Sequence, residues 1–411
     1  MDTINKESNE NWINKRLNKM NTLEEFYAGN GILVTGATGF VGIGLLEKLM
    51  RIYDGVKAKN PSVLSRVYPV KGDVSLPDLG LSREDRNLLL EKVNIVFHAA
   101  ATVRFNEPLH VAINVNTKGT ARVIELWNEL RHPISFVHVS TAFSNANLHE
   151  IGEKVYTTSL KPSEVIDMCD KFDKTLMNQI EERILRTYPN TYIFSKNLAE
   201  QIVASKCKDL PVAIVRPSII GASLEEPCPG WLENISAITG ILLLVSKGCA
   251  TAILARKDAR LDVVPVDFVV DTIICTAWHV TLRHDHEVKV YNCTSNANPF
   301  KMMKLLKNGH KLFTSVTYFT THEWTFQRDN CSDLAKKVKM LNDSDMVKLD
   351  LRDMDWEKYV AIYLMGIRKF ILKQEFKSIA RQRLARLYWI HQVTKISGII
   401  ILLWIILYFV Y

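Results

Sequence analysis

Tyr192 and Lys196 are the residues of this sequence whose types and spacing best suit acid catalysis on a carbonyl group. They stand four apart in "NTYIFSKNLAE" (190–200), which places both on one face of a helix. A free phenol has a pKa of about 10, and an adjacent ammonium favours the phenolate, so Tyr192 can act near neutral pH. The pair predicts an enzyme that protonates a carbonyl oxygen as a hydride arrives.

The position of this pair is more specific than its spacing, because Tyr53 and Lys57 show the same spacing. Only the first pair follows a strand that ends in "HVSTAF" (138–143) and precedes "IVRPS" (214–218). Thr141 or Ser140 at that strand end could hydrogen-bond the carbonyl, since ligands bind at the carboxyl ends of such strands. An ordinary exposed tyrosine and lysine is the alternative.

A glycine-rich bend, "TGATGFVG" (35–42), follows the apolar run of residues 32–34. Gly36 permits the turn, Gly39 lets a pyrophosphate approach the backbone, and Gly42 lets the next helix pack on the strand. The free N–H groups at the start of that helix favour an anion. The pattern predicts a dinucleotide site, and a tight turn without a ligand is the alternative.

Two later strand ends supply further cofactor contacts. Asp73 in "KGDV" (71–74) could accept from an adenine amino group, and the small residues Ala99, Ala100 and Ala101 in "HAAA" could lie against a nicotinamide. Lys196 could hold the nicotinamide ribose. The second strand of a dinucleotide fold and its ribose-reading residue are missing, since "YDGVKAKNPSVLS" (53–65) is polar and contains proline. Lys57 or Lys59 could serve a 2′-phosphate.

Composition narrows the function classes. The 411 residues are 47% apolar, enough for two or three domains with real cores. The net charge is +8, but the basic residues are spread out and form no nucleic-acid motif, so we expect no nucleic-acid partner. A basic face for anionic lipid or a phosphorylated ligand fits as well. The seven cysteines are scattered without metal-ligand spacing, which predicts reduced thiols facing the cytosol and no metal site.

Apolar runs alternate with helical patterns from residue 31 to about 295. Strands are predicted in 31–36, 66–73, 93–101, 134–140 and 211–220, and helices in 41–52, 116–130 and 195–208. Continuous apolar strands separated by helices are typical of a doubly wound parallel α/β sheet. We therefore predict a polar lead-in (1–29), a dinucleotide-binding domain (30–295), a C-terminal helical domain without strands (296–395) and a hydrophobic terminal helix (396–411).

The terminal segment "ISGIIILLWIILYFVY" (396–411) carries no charge. A helix of that length spans roughly 24 Å, somewhat less than a ~30 Å hydrocarbon core. The basic residues before it, among them Arg381 and Lys395, have the sign expected on the cytosolic face. We predict a membrane insertion or tail anchor, with a buried terminal helix as the alternative. The run 241–255 is broken by Lys247 and Gly248, and predicts a buried or ligand-lining helix.

Together these motifs resemble the extended short-chain dehydrogenase/reductases. More narrowly, the segments 93–120, 189–200, 216–231 and 264–271 look like those of alcohol-forming fatty acyl-CoA reductases of the insect type, and 318–330 with 353–372 resemble that family's C-terminal domain. The resemblance covers nearly all of residues 22–395.

The resemblance implies a long-chain acyl-CoA substrate. NADPH would reduce the thioester to an aldehyde with loss of CoA, and a second hydride would give the fatty alcohol. Tyr192, Lys196 and Thr141 (or Ser140) match the catalytic positions. The predicted cofactor set comprises Thr35, Gly36, Thr38, Gly39, Phe40, Val41, Gly42, Asp73, Val74, Ala99, Ala100, Ala101, Asn116, Lys196, Pro217, Ser218 and Ile219. We also expect attachment to a membrane of the endoplasmic reticulum or peroxisome, with the catalytic domain in the cytosol. Membrane lipid is a further expected partner, and a homodimer is a further expectation.

The sequence departs from the family pattern twice. The strand and basic segment after the first helix are missing, and the chain runs almost directly from "NPFKMMKLL" (298–306) to "YFTTHEWTF" (318–326). The first missing segment would contribute to NADPH binding in the family, and the second would contribute to the acyl pocket. The alternatives to an active reductase are a non-catalytic membrane-bound isoform that binds acyl-CoA or a partner, and another membrane-associated extended reductase acting on a hydroxysteroid or nucleotide sugar.

Overall fold

The structure is a computed structural model and describes residues 21–54, 65–207, 210–235, 237–246, 260–282, 287–295, 300–301, 318–319, 321–374, 386 and 388–400. Its centre is a five-stranded sheet in the order β1-β2-β3-β5-β9, with every neighbouring pair parallel. The strands are β1 (Gly31–Thr35), β2 (Val93–His98), β3 (Ser135–Val139), β4 (Glu150–Ile151), β5 (Val212–Pro217), β6 (Ile219–Gly221), β7 (Arg260–Leu261), β8 (Val263–Pro265), β9 (Lys289–Cys293), β10 (Phe300–Lys301) and β11 (Thr325–Phe326).

Helices pack on both faces of this sheet. They are α1 (Leu23–Tyr27), α2 (Phe40–Asp54), α3 (Arg83–Lys92), α4 (Leu109–Ala112), α5 (Gly119–Glu129), α6 (Pro162–Lys171), α7 (Lys174–Leu185), α8 (Thr191–Lys206), α9 (Ala237–Ser246), α10 (Val266–His279), α11 (Asp329–Val338) and α12 (Trp356–Gly366). A π-helical segment, Ile113–Lys118, joins α4 to α5.

The strands are apolar on both sides because both faces of the sheet are covered. On β2, Ile95 and Phe97 join a cluster with α2 and α10. Val96 points the other way and joins a cluster with α5 and α8. Alternation of this kind along a strand follows from its two-residue period. The predicted doubly wound parallel sheet is confirmed.

Three details of the predicted elements are wrong. Residues 67–73 form no strand, because Pro69 lacks a backbone donor and Asp73 turns the chain by accepting from Ser75 N at 2.8 Å. Strand β9 was missed. The short strands β10 and β11 lie in the region expected to have none.

Strand β1 pairs with β2 on one side, and no strand flanks its other side within the residues described. This finding agrees with the missing second strand. The segment 55–64, which contains Lys57 and Lys59, lies outside the described residues.

The C-terminal region packs directly on the sheet domain. Tyr359 of α12 donates to the Ala222 carbonyl at 2.8 Å. At Gly366 an added Cβ would lie 1.9 Å from the Gly230 carbonyl oxygen, so only glycine permits this approach. The end of the predicted lead-in is also anchored, since Tyr27 donates to the Ile274 carbonyl at 2.8 Å. The domain limits stay predictions.

No helix within the described residues is long and apolar enough to span a bilayer. Residues 388–400 are helical, and 401–411, most of the predicted anchor, lie outside the described part. Of the apolar run 241–255, helix α9 includes 241–246, while 247–255 are not described.

Candidate active site

The glycine-rich bend packs against the end of strand β2. Gly36 has a φ of +71°, and a Cβ there would lie 2.7 Å from the Ala100 nitrogen. A Cβ at Gly42 would lie 2.1 Å from the Gly36 carbonyl oxygen, so α2 could not start so close to the bend with a larger residue. The bend and the Ala99–Ala101 segment, predicted separately, therefore meet at one edge of the sheet.

The start of α2 fits an anionic ligand. Helix α2 is 15 residues long, and its first N–H groups have no partner within the helix. Thr38 and Gly39 just before it are exposed, so a phosphate can reach these donors. Phe40 and Val41 form the first turn, and the Phe40 ring packs 5.0 Å from Trp231. The residues present fit the pyrophosphate of a dinucleotide.

A buried histidine ties the first two strand ends together. The Thr35 hydroxyl and His98 Nδ1 are 2.7 Å apart, and His98 Nε2 lies 3.0 Å from Thr120 Oγ1. Because Thr120 donates its own proton to the Asn116 carbonyl at 2.6 Å, His98 Nε2 must be the donor and Nδ1 the acceptor. Burial lowers the pKa of His98 to about 3, so the ring stays neutral.

Asn116 links the segment after strand β2 to the helix of Tyr192. Its amide oxygen accepts from Thr102 N at 2.9 Å, and its Nδ2 donates to Ser195 Oγ at 2.9 Å. Ser195 in turn donates to the Tyr192 carbonyl at 2.9 Å. Asn116 was predicted as a cofactor residue, and the structure uses its amide to hold the site together.

Tyr192 lies in the first turn of α8, which Asn190 caps by accepting from Ile193 N at 2.9 Å. The Thr141 side chain lies close enough to the phenol to lower its pKa. Burial raises the pKa of Tyr192 to about 12, which the Thr141 contact only partly offsets. Lys196 does not lower this pKa, because its Nζ is bonded to Val139 and His138. The phenol is thus fully protonated at neutral pH, which is the form an acid needs. The further stabilisation of the phenolate by an oxidised nicotinamide stays a prediction.

Lys196 is buried at the carboxyl end of β3. Its Nζ donates to the Val139 carbonyl at 2.7 Å and lies 3.2 Å from His138 Nε2. Desolvation lowers the pKa of Lys196 to about 7, against the opposing effect of Glu200. Tyr192 and Lys196 both lie on helix α8, and Lys196 reaches the carboxyl end of β3, as predicted.

Ser140 is occupied by a buried ion pair. Its hydroxyl donates to Glu200 at 2.5 Å, and Glu200 pairs with Arg216 at 2.6 Å with both side chains fully buried. Arg216 also donates to the carbonyls of Gly152 and Lys154. Of the two predicted alternatives, the structure places Thr141, and not Ser140, beside the phenol.

The remaining predicted cofactor residues lie around the same edge. Asp73 is exposed, and its hydrogen bonds with Ser75 lower its pKa. Val74 packs against Gly119 at the start of α5, where an added Cβ would lie 3.1 Å from the Val74 side chain. Pro217 ends β5, Ser218 N donates to the Cys293 carbonyl, and Ile219 N donates to the Asp262 carbonyl, both at 3.1 Å.

An aromatic cavity of about 100 Å³ lies close to the apolar cluster on which Tyr192 packs. Phe143 and Ile219 line it and also belong to the apolar cluster that contacts Tyr192. The remaining lining residues are Phe319, Trp324, Phe326, His149, Arg260, Leu261, Asp262, Glu323 and Thr325. The cavity is lined by both apolar and charged side chains, among them Phe143, Arg260 and Glu323.

Sequence reasoning missed His98, His138, Glu200 and Arg216. The signal was a polar residue inside an apolar strand, as in "VNIVFH" and "SFVHV". A buried polar side chain must find a partner, so such positions point to a network.

The family of the chain follows from sequence comparison. A family model described as "Male sterility protein" matches residues 52–273, more than half of the chain, and a second with the same description matches 288–374. The Mus musculus protein "Fatty acyl-CoA reductase 1" is 30% identical, over 90% of each chain. The chain belongs to the fatty acyl-CoA reductase family. The Homo sapiens "Fatty acyl-CoA reductase 2" is 29% identical, over 90% of this chain and 91% of its own.

Membership of the fatty acyl-CoA reductase family confirms the predicted oxidoreductase with an NAD(P)-binding domain. The aligned stretch of 464 positions exceeds the 411 residues of this chain, so the chain lacks segments that this mouse relative has. This agrees with the two departures noted from the sequence. The relatives named here are vertebrate proteins, and the likeness to insect members stays a prediction.

Solved structures support the fold alone. The terminal R domain of the myxalamid PKS-NRPS pathway has a TM-score of 0.53 at 20% identity, covering 82% of this chain and 90% of its own. UDP-galactose 4-epimerase has a TM-score of 0.51 at 15% identity, covering 82% and 98%. These likenesses confirm the extended short-chain dehydrogenase/reductase architecture.

Proposed function

We propose that this chain reduces long-chain acyl-CoA with NADPH, through an aldehyde, to a fatty alcohol and free CoA. The overall change consumes two hydrides and two protons per acyl chain. The observation that carries the proposal is the Tyr192 phenol near Thr141, packed on the aromatic cluster of Phe143, at the sheet edge that bears the glycine bend. The relatives named as fatty acyl-CoA reductases support the substrate class.

Each residue has a definite role in this reaction. Bound reduced nicotinamide supplies the hydride. Tyr192, held protonated by burial, donates a proton to the substrate oxygen as negative charge develops there. Thr141 would orient the phenol, and Lys196, anchored on the Val139 carbonyl, would hold the cofactor ribose. Phe143 and Ile219 exclude water from the acyl side.

NADPH, as opposed to NADH, is proposed from the resemblance to the family. The lysines suggested for the 2′-phosphate, Lys57 and Lys59, lie outside the described residues. Titrating the two cofactors in parallel tests this choice, and a tenfold preference for NADPH is the expected result. Equal dissociation constants would contradict it.

The test of activity uses purified full-length chain in detergent, NADPH and palmitoyl-CoA, with gas chromatography of the products. Tyr192→Phe removes only the hydroxyl, and we expect a 10²- to 10⁴-fold loss of rate. Tyr188→Phe is the matched control: burial also raises that pKa to about 12, but its ring packs on Phe194. Wild-type rates for both variants would refute the assignment of Tyr192.

One observation favours a second candidate, a non-catalytic isoform that binds acyl-CoA or a partner. The β1 edge has no neighbouring strand within the described residues, and the first family match starts at residue 52, after the glycine bend. NADPH titration separates the two. Saturable binding in the micromolar range favours the reductase, and no binding favours the isoform.

We also propose attachment to a membrane of the endoplasmic reticulum or peroxisome, with the sheet domain in the cytosol. The exposed apolar side chains of helix 388–400, including Trp389, Ile390 and Val393, support contact with lipid. Deleting residues 396–411 should shift the chain to the soluble fraction, and unchanged fractionation would refute the anchor. We further propose that the chain forms a homodimer and that it is of the insect type. For a homodimer, sedimentation in detergent should give twice the mass of one chain.

A further inference from the structure

The Lys196 ammonium contacts two acceptors on strand β3. Its side chain is 1% exposed, and its Nζ donates to the Val139 carbonyl at 2.7 Å. The second contact is His138 Nε2, at 3.2 Å. Both acceptors belong to the carboxyl end of β3, whereas Lys196 comes from α8.

Within the described part of the chain, these two contacts leave one donor of the ammonium without a partner. A lysine ammonium has three N–H groups and no acceptor. With two N–H groups directed at the sheet, the geometry of a tetrahedral nitrogen fixes the direction of the third. Losing the His138 contact would let the long side chain rotate about the remaining bond, so the third N–H would no longer have one direction.

His138 is costly as a purely structural residue. It is completely buried, and its Nδ1 has no hydrogen-bond partner, which destabilises the fold. A valine or leucine would fill the strand without this cost. When Lys196 is protonated its ammonium only donates, so His138 Nε2 accepts and the proton of the neutral ring lies on Nδ1. Among the described residues, Lys196 is the one polar partner of this ring.

The surroundings keep His138 an acceptor. Burial, then Lys196, then His98 lower its pKa well below the ordinary value. The His98 ring, 5.2 Å away on β2, is itself neutral. Glu200 lies one helical turn beyond Lys196, where its charge is paired with Arg216. The titratable groups facing the pair are thus His98, Glu200 and Tyr192, and none of them replaces His138 as the second acceptor of Nζ.

We infer that His138 is a positioning residue, whose Nε2 together with the Val139 carbonyl directs the third N–H of Lys196 at the ribose of the bound nicotinamide cofactor. The inference rests on the proposed function, since it requires a cofactor at this edge. Both proposed hydride transfers begin with a bound cofactor. The arrangement would therefore act at cofactor binding, before either chemical step.

The test is NADPH binding in the absence of substrate, measured by fluorescence titration. His138→Leu should weaken binding about tenfold, the worth of one charge-assisted hydrogen bond. His138→Gln, whose amide oxygen reaches the position of Nε2, should restore binding to within about threefold of wild type. His138→Asn, whose amide reaches only the position of Nδ1, should bind like the leucine variant and serves as a polar control.

A double-mutant cycle with Lys196→Met separates positioning from a structural effect. In that background, His138→Leu should cause no further loss of NADPH binding. Equal losses in both backgrounds, or unchanged binding by folded His138→Leu and His138→Asn, overturn the inference while leaving the reductase intact. If the wild type itself fails to bind NADPH, the proposed function fails and the inference with it. Circular dichroism on each variant confirms that the compared proteins are folded.

Discussion

Replacing Gly36 with alanine tests how the glycine bend is built. Gly36 and Gly29 have nearly the same backbone conformation, with φ values of +71° and +74°. Their surroundings differ, because a Cβ at Gly36 would lie 2.7–2.9 Å from three backbone atoms of Ala99 and Ala100, whereas one at Gly29 meets nothing within 4 Å. The two variants therefore share the conformational penalty and differ in the steric one.

The magnitudes follow from this difference. A left-handed conformation costs an alanine about 1–2 kcal/mol relative to glycine, and this applies to both positions. At Gly36 the overlap involves backbone that cannot rotate away, which adds about 1–3 kcal/mol of overpacking. We expect a loss of unfolding free energy of about 1–2 kcal/mol for Gly29→Ala and about 2–5 kcal/mol for Gly36→Ala.

Urea unfolding followed by tryptophan fluorescence measures these losses, and NADPH titration measures the effect on the site. Gly36→Ala should weaken cofactor binding, because the bend must move away from the Ala99–Ala101 segment. Gly29→Ala should bind cofactor as the wild type does. Equal destabilisation by the two variants, with equal cofactor binding, would falsify the close contact between the bend and strand β2.

Three further predictions concern the interior. Glu200→Gln leaves the Arg216 charge buried without its carboxylate, so urea unfolding should show a loss of about 3–5 kcal/mol, against no measurable change for the surface control Glu129→Gln. His98 has a folded pKa of about 3, below its unfolded value, so its contribution to stability is lost as pH falls below about 6.5. Between pH 7 and pH 5 the wild type should lose about 2 kcal/mol more than His98→Asn in the same assay, and parallel curves would contradict this. Gly366→Ala forces a Cβ to within 1.9 Å of a carbonyl oxygen, so helix α12 should become protease-sensitive, and an unchanged digestion pattern would refute its docking.

Most of the central sheet could be predicted because its strands are local patterns. Strands β1, β2, β3 and β5 are continuous apolar runs, which a sheet covered on both faces requires. Strand β9, "KVYNC", was missed because it carries Asn292, whose amide donates to the carbonyls of Ile151 on β4 and of Gln327 just after β11. Those partners are not adjacent in sequence, so no local pattern reveals them.

The candidate site also has features that local motifs predict and features that depend on distant residues. The positions of Tyr192, Lys196 and the glycine bend follow from motifs placed at strand ends, and the structure brings them to one edge. The hydrogen bonds of Lys196 and Ser140 depend on His138 and Glu200, which are 58 and 60 residues away from them. The raised pKa of Tyr192 likewise results from burial by the whole fold, and could not be read from its neighbours in the chain.

The most direct test of the account is the fate of the cofactor's hydride. Palmitoyl-CoA and NADPH carrying deuterium at both C4 positions of its nicotinamide are incubated with the full-length chain, and the alcohol is analysed by mass spectrometry. The account predicts hexadecanol with two deuterium atoms on C1, and no labelled alcohol with Tyr192→Phe above trace amounts. Recovery of unreduced acyl-CoA alone, or of alcohol without deuterium on C1, would contradict hydride transfer at this site.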